Sequence, residues 1–332
     1  MTETPAFATR FVNLASPKMG TEAVACTDDF FAPMARMLQD GDPVWIADKY
    51  DDHGKWMDGW ESRRKRTPGH DWCLIRLGVP GIVRGVDIDT SHFTGNYPPE
   101  AMLEGCRSAG EPGDATEWTT VVPRCTLGSS CNNFEASVSA APVNWLRLNI
   151  YPDGGVARLR IFGEPVIDWS AFADDATVEL SALKMGGRIV GYNDAHYGDV
   201  AALLTDGRGR TMGDGWETRR RREPGHDWIV IALGHRGIVE RIEVDTAHFK
   251  GNYPDRCSVQ GAVAGDGGSD PAKMEAAGDW PFLLEQRKLA ADSIHLFEAA
   301  DLASAGPVDT VRLNIYPDGG VSRFRVIGRL DR

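Results

Sequence analysis

Residues 145–162 read WLRLNIYPDGGVARLRIF. Leu146, Leu148 and Ile150 alternate with Trp145, Arg147, Asn149 and Tyr151, the period of two of a half-buried strand. Pro152-Asp153-Gly154-Gly155 then reads as a turn: proline presets φ, aspartate bonds nearby backbone, and glycine accepts positive φ. Beyond it, Leu159 and Ile161 alternate with Arg158 and Arg160. The expectation is a β-hairpin with one apolar face and one face carrying Arg147, Asn149, Arg158 and Arg160. Val86–Asp89 predicts a third strand, matched by Ile242–Asp245. Helix signals are few; Pro33–Leu38, after Asp28 and Asp29, reads as one short turn with proline at its first position. Short strands with Gly and Pro punctuation predict an all-β sandwich or jelly roll.

The stretch Arg147–Val156, RLNIYPDGGV, returns unchanged at Arg312–Val321. Working outward, DGWESRRKRTPGHDW (58–72) answers DGWETRRRREPGHDW (214–228), with three of fifteen positions different, two of them Ser/Thr and Lys/Arg exchanges. DTSHFTGNYP (89–98) answers DTAHFKGNYP (245–254), Lys18-Met19-Gly20 matches Lys184-Met185-Gly186, and Asp28 matches Asp194. The offset runs 166, then 156, then 165 residues. The first copy therefore carries about ten extra residues around Asp48–Trp56, and the second about nine extra near Gly261–Gly278. Solenoid repeats run about 20–50 residues, so this period marks a duplicated domain. The expected copies are residues 10–165 and 175–330, joined near Gly163–Asp175.

A chain of 332 residues suits two domains at the usual prior of roughly 150 residues each. The net charge of −12 disfavours a nucleic-acid partner, since phosphate binding draws on excess Lys and Arg. The run Arg63–Arg66 is flanked by Glu61 and Asp71 and does not change that reading. No run of about 18 apolar residues is present, so no membrane partner is expected. The first twenty residues lack a basic start followed by an apolar stretch, and the expected location is the cytoplasm. Six cysteines without a Cys-x-x-Cys pair read as reduced thiols.

Three repeated polar clusters are candidates for chemistry. The loop from Asp58 to Trp72 offers Asp58, Glu61, Asp71, His70, Arg63 and Arg64; alternatively Trp60 and Trp72 anchor it and its carboxylates neutralise nearby arginines. His92 is suited to move a proton near neutral pH, or it is held by a backbone carbonyl at the sandwich edge. The arginines of the hairpin face are suited to grip a carboxylate, or they pair with Asp87 and Asp89 across the sheet. No helix-borne zinc spacing, phosphate loop, dinucleotide fingerprint or Gly-x-Ser-x-Gly context exists, so neither metal nor cofactor is expected.

The series Ser16-Pro17-Lys18-Met19-Gly20, Asp28–Pro33 and Lys55–Arg64 closely resembles the allantoicase family. So do the Pro-Gly-His-Asp-Trp, His-Phe-x-Gly-Asn-Tyr-Pro and Asn-Ile-Tyr-Pro-Asp-Gly-Gly elements of both copies. The resemblance spans about residues 10–328. It implies a tandem pair of galactose-binding-like jelly-roll sandwiches, assembled into a homo-oligomer. It also implies a hydrolase that converts allantoate to ureidoglycolate and urea in purine breakdown, with related activity toward ureidoglycolate.

Residue roles are expected from chemistry. Arg147 or Arg160, with Arg312 or Arg325 in the second copy, would hold the substrate carboxylate. His92 or His248, or a carboxylate among Asp58, Glu61, Asp214 and Glu217, would move protons. Asn96, Asn149, Asn252 and Asn314 would bond the ureido amides. The rivals are a ureidoglycolate enzyme and a non-enzymatic carbohydrate-binding pair of sandwiches. The repeat is compatible with a site in each copy, with a single site where they meet, or with polar sets that only stitch the loops of each domain together while catalysis lies elsewhere.

Overall fold

The computed structural model describes residues 4–265, 276–303 and 306–332. The chain divides between Val166 and Ile167 into two units, each with its own buried core. The first opens with β1 (Val12–Asn13) and β2 (Glu22–Cys26), then a small hairpin of β3 (Tyr50–Asp51) and β4 (Gly54–Lys55). That hairpin is built from the extra residues of the first copy. After β5 (Trp60–Glu61) comes the long β6 (Asp71–Asp89), followed by β7 (Glu100–Cys106), β8 (Thr119–Thr126) and β9 (Phe134–Ala136). The unit closes with β10 (Val143–Tyr151), β11 (Gly155–Val156) and β12 (Arg158–Pro165).

The hairpin expected across Pro152–Gly155 does not form. The alternating strands β10 and β12 are both present, but β6 lies between them in the order β1-β12-β6-β10-β7-β8. Trp145–Ile150 of β10 pairs with Arg76–Asp71, and Arg158–Pro165 of β12 pairs with Asp89–Gly81. Alternation fixes which face a side chain takes, not which strand accepts its backbone. Arg147 and Asn149 therefore sit on one arm of the sheet, and Arg158 and Arg160 on another.

Both ends of β6 reach the same place. The Asp71 amide donates to the Pro152 carbonyl and the Ala157 amide to the Asp89 carbonyl. Strand β6 must fold back between them, around Gly78-Val79-Pro80-Gly81, so its two arms lie in the two layers of a jelly-roll sandwich. Leu146, Leu148, Ile150, Leu159, Ile161, Val86 and Ile88 fill the space between the layers and are excluded from solvent. At the other end of the arms, the loops at 58–70, 90–99 and 152–157 gather.

The second unit repeats the plan. It contains β13 (Thr177–Glu179), β14 (Arg188–Tyr192), β15 (Tyr197–Gly198), β16 (Trp216–Glu217) and the long β17 (Asp227–Asp245). β18 (Arg256–Ala262), β19 (Phe282–Lys288) and β20 (Ile294–Glu298) lead to β21 (Val308–Tyr316), β22 (Gly320–Val321) and β23 (Arg323–Leu330). β17 holds β21 on its first arm and β23 on its second. Within the Gly261–Gly278 stretch, residues 266–275 lie outside the described set. The helical turn expected at Pro33–Leu38 is a 3-10 turn over Met34–Leu38 that Pro33 precedes. Among the described residues no helix is long and apolar enough to cross a membrane. All six cysteines are free thiols.

Candidate active site

The loop end of the first unit is assembled around Trp60. Its ring is fully buried and its indole N–H donates to the Asp28 carbonyl at 2.9 Å. The next residue, Glu61, is held on both sides of its backbone: β5 pairs with β11, and Glu61 exchanges hydrogen bonds with Ala32. β11 in turn receives Asn96, whose carbonyl accepts the Gly155 amide at 2.7 Å. Gly155 admits no side chain, because a Cβ there would lie 2.0 Å from the Phe93 ring. These ties bring Asn96 against Glu61, and its side-chain amide donates to Glu61 Oε1 at 2.7 Å. Burial pushes the Glu61 carboxyl pKa up, with the Asn96 hydrogen bond acting against it.

The arginine-rich loop that follows is sorted by its partners. Arg63 is spoken for: Asp28 accepts its amide at 2.8 Å and its guanidinium at 2.6 and 2.7 Å. Lys65 donates its backbone amide to Asp153 and its ammonium to Asp71. Arg64, between them, is exposed and has no hydrogen-bond or ion-pair partner among the described residues. It lines a cavity of about 470 Å³ together with Glu61, Asn96, Tyr97, Phe31 and Asp153. That volume falls in the range of about 300–1,000 Å³ usual for small-molecule sites.

The second unit builds the same cavity from the equivalent positions. Trp216 is buried and donates to the Asp194 carbonyl, Asn252 donates to Glu217 at 2.5 Å, and Asp194 takes Arg219. Arg221 donates its amide to Asp318 and its guanidinium to Asp227. Arg220 is left exposed and unpartnered among the described residues. The cavity measures about 760 Å³ and is lined by Glu217, Asn252, Tyr253, Arg220, Tyr197 and Asp255 among others.

Two matches to the allantoicase repeat cover residues 12–166 and 178–331. A probable allantoicase of Burkholderia mallei is 53% identical over 99% of this chain and 97% of its own length. One from Rhizobium meliloti is 52% identical over 98% of this chain and 96% of its own. The chain belongs to the allantoicase family. The crystal structure of allantoicase from Saccharomyces cerevisiae superposes with a TM-score of 0.81 at 33% identity, covering 97% of this chain and 96% of that one. The fold is accordingly the tandem duplication of an all-β jelly-roll sandwich.

Of the residues expected to do chemistry in this chain, the structure brings Glu61 to Asn96 and Glu217 to Asn252. It places the others elsewhere, and most have a visible holding role. Asp58 forms a buried pair with Arg158 at 2.7 Å, and the partly exposed Asp214 pairs with the buried Arg323 at 2.9 Å. Arg158, 1% exposed, also donates to the carbonyls of Gly41 and Asp58. His92 and His248 sit at φ of 71° and 70°, and their Nε2 atoms meet the carbonyls of Pro43 and Gly209. The alternative reading of that histidine, a ring held by a backbone carbonyl, matches this geometry. Together these side chains fasten the segments that precede the two Asp-Gly-Trp-Glu motifs.

The arginines expected to clamp a carboxylate line neither cavity. Arg160 is surrounded by Asp42, Asp87 and Asp89 at 3.0–3.4 Å, and Arg325 by Glu179 and Glu243. Arg147 donates twice to Glu104 and lies over the Trp118 ring. Asn149 donates to the same Glu104 and meets His70 Nε2 at 3.1 Å. In the second unit Gln260 stands where Glu104 does, so Arg312 has Asn314 and the Trp228 ring as partners and no carboxylate among the described residues. Asn314 also meets His226 at 3.2 Å. Among the described residues no group of three or more His, Cys, Asp or Glu is arranged to hold a metal ion.

Sequence reasoning passed over Tyr97, Tyr253 and the distinction between Arg63 and Arg64. A signal for the latter existed: Asp28 and Asp194 recur at matched positions, one carboxylate for a pair of adjacent arginines.

Proposed function

We propose that the chain is an allantoicase, hydrolysing allantoate to ureidoglycolate and urea in purine breakdown, and that the loop-end cavities carry the reaction. The observation that supports the location is a guanidinium without a partner among the described residues, Arg64, lining the same cavity as a desolvated carboxyl, Glu61. Perturbed carboxyls in a cleft are the usual mark of proton transfer.

Allantoate carries a carboxylate and two ureido groups on one carbon. Urea departs whole, so the bond between that carbon and one ureido nitrogen breaks and a bond to water oxygen replaces it. Arg64 holds the carboxylate through paired charge-assisted hydrogen bonds. Glu61, biased by burial toward its neutral acid, gives its proton to the departing nitrogen. The lone pair of the remaining ureido nitrogen supports the acyliminium left behind. Water adds to that carbon and its proton returns to Glu61, which restores the acid. Proton transfer of this kind contributes about 10²- to 10⁴-fold. The Asn96 amide is committed to Glu61, so its carbonyl accepts a ureido N–H. Glu217, Asn252 and Arg220 are the counterparts in the second unit.

His92, His248, Asp58 and Asp214 then act by holding loops, and Arg147, Arg160 and Arg325 by pairing with carboxylates. A homo-oligomer and a cytoplasmic location are further parts of this reading, and light scattering on the purified chain tests the first. A carbohydrate-binding reading draws little from the tryptophans: Trp60 and Trp216 are sealed from solvent, and neither Trp72 nor Trp228 lines either loop-end cavity. The test is urea release from allantoate and, separately, from ureidoglycolate on one preparation. Faster release from allantoate is expected. Release from ureidoglycolate alone would transfer the activity to that substrate, and release from neither would end the enzymatic reading.

A further inference from the structure

We propose that each chain carries two separate active sites, one at the loop end of each unit, each complete in residues of its own unit. The inference rests on the reading of Glu61 and Glu217 as the proton carriers. Every lining residue of the first cavity falls between Phe31 and Gly154, and every one of the second between His196 and Gly319. Neither cavity borrows a side chain from the other half of the chain.

A duplicated sandwich keeps its buried tryptophans, its Arg158–Asp58 type pair and its glycines in both copies because folding needs them. Arg64 and Arg220 are different. Each is exposed and pairs with nothing among the described residues, so neither contributes measurably to folding. A copy that had become a mere scaffold would have no structural use for that guanidinium, yet both units set it in the wall of the same cavity as the glutamate of the Asp-Gly-Trp-Glu motif. The hydrogen bond from asparagine to glutamate is also made in each, at 2.7 and 2.5 Å.

The two sites are not identical. The first has Phe31 and Pro99 where the second has Tyr197 and Asp255. Phe31 is braced from behind: its ring meets Phe30 at 5.2 Å, and Phe30 meets His53 of the β3–β4 turn at 4.5 Å. Among the described residues the second unit has no such hairpin, and its cavity is the larger, about 760 against about 470 Å³. Separate sites with different walls give separate KM values.

The experiment uses the full chain as wild type, Glu61→Gln, Glu217→Gln and the double variant. Gln keeps an acceptor for Asn96 or Asn252, and thermal unfolding confirms that each variant folds. Each single variant is expected to keep a sizeable share of kcat, roughly a quarter to three quarters, with KM differing between the two, while the double variant falls by about 10²- to 10⁴-fold. Calorimetric titration of the double variant with allantoate should give two molecules bound per chain. A single variant as inactive as the double, or a stoichiometry of one, overturns the two-site inference but leaves the pocket assignment standing. A double variant as active as wild type instead removes both glutamates from the chemistry, and this inference falls with them.

Discussion

Asn96 donates its side-chain amide to Glu61 at 2.7 Å, joining the loop after β6 to the short strand before it. The contact opposes the effect of burial on Glu61: burial raises the carboxyl pKa and the hydrogen bond lowers it. It leaves Glu61 Oε2 without a hydrogen bond among the described residues.

Replacing Asn96 by Ala therefore raises the Glu61 pKa further. If neutral Glu61 starts the reaction, activity falls as pH rises through that pKa, and the basic limb of kcat/KM moves to higher pH in Asn96→Ala. The measurement is best made with Glu217→Gln in place, so that the first site alone is read. A limb that stays put would assign the titration to another group.

Lysine at position 64 or 220 keeps the charge and loses the planar fork. A charge-assisted hydrogen bond is worth about 1.5–3 kcal/mol, so Arg64→Lys with Arg220→Lys lowers kcat/KM for allantoate by about 10- to 100-fold. Arg147→Lys, whose guanidinium faces Glu104 outside the cavity, leaves kcat/KM within about twofold of wild type. Steady-state kinetics on the two variants decide between the clamps.

Asp58→Ala removes one partner of a buried ion pair, a change that costs about 3–5 kcal/mol. In a unit of this size the midpoint of thermal unfolding drops by roughly 6–20 °C. Activity below the new midpoint should be preserved. Loss of activity in a variant that unfolds like wild type would return Asp58 to the chemistry.

Glu179 is the clearest pH-linked site for stability. Burial raises its pKa to about 7 against a partial offset from Arg325, with Asp206 and Glu243 adding to the rise. The native state thus holds a proton that the unfolded chain releases near pH 4.5, so the stability it contributes is present below that pH and is lost as pH climbs toward 7. Glu179→Gln should raise the unfolding midpoint by a few degrees at pH 8 relative to wild type and change it less at pH 5. Calorimetry at the two pH values checks the sign.

The strands were readable because side-chain alternation is local: Trp145–Tyr151 and Arg158–Phe162 declare their faces within seven residues or fewer. Their pairing was not, because a nineteen-residue strand that folds back, β6, supplies both partners from a distance. The same division runs through the site. Repetition exposed Glu61 and Asn96, but which charge meets which depends on contacts across 35 to 118 residues, as with Asn96 to Glu61 and Arg160 to Asp42. Arginines that alternate on a strand look available in one dimension. Arg147 and Arg160 prove occupied in three, and the exposed Arg64 beside the occupied Arg63 is told apart only by Asp28, which arrives from an earlier loop.

The most direct measurement is a crystal structure of the Glu61→Gln, Glu217→Gln double variant soaked with allantoate. The allantoate carboxylate is expected within hydrogen-bond distance of Arg64 and Arg220, with a ureido group against Asn96 and Asn252. Allantoate seated on the Arg312–Trp228 face instead, with both loop-end cavities holding solvent, would contradict it.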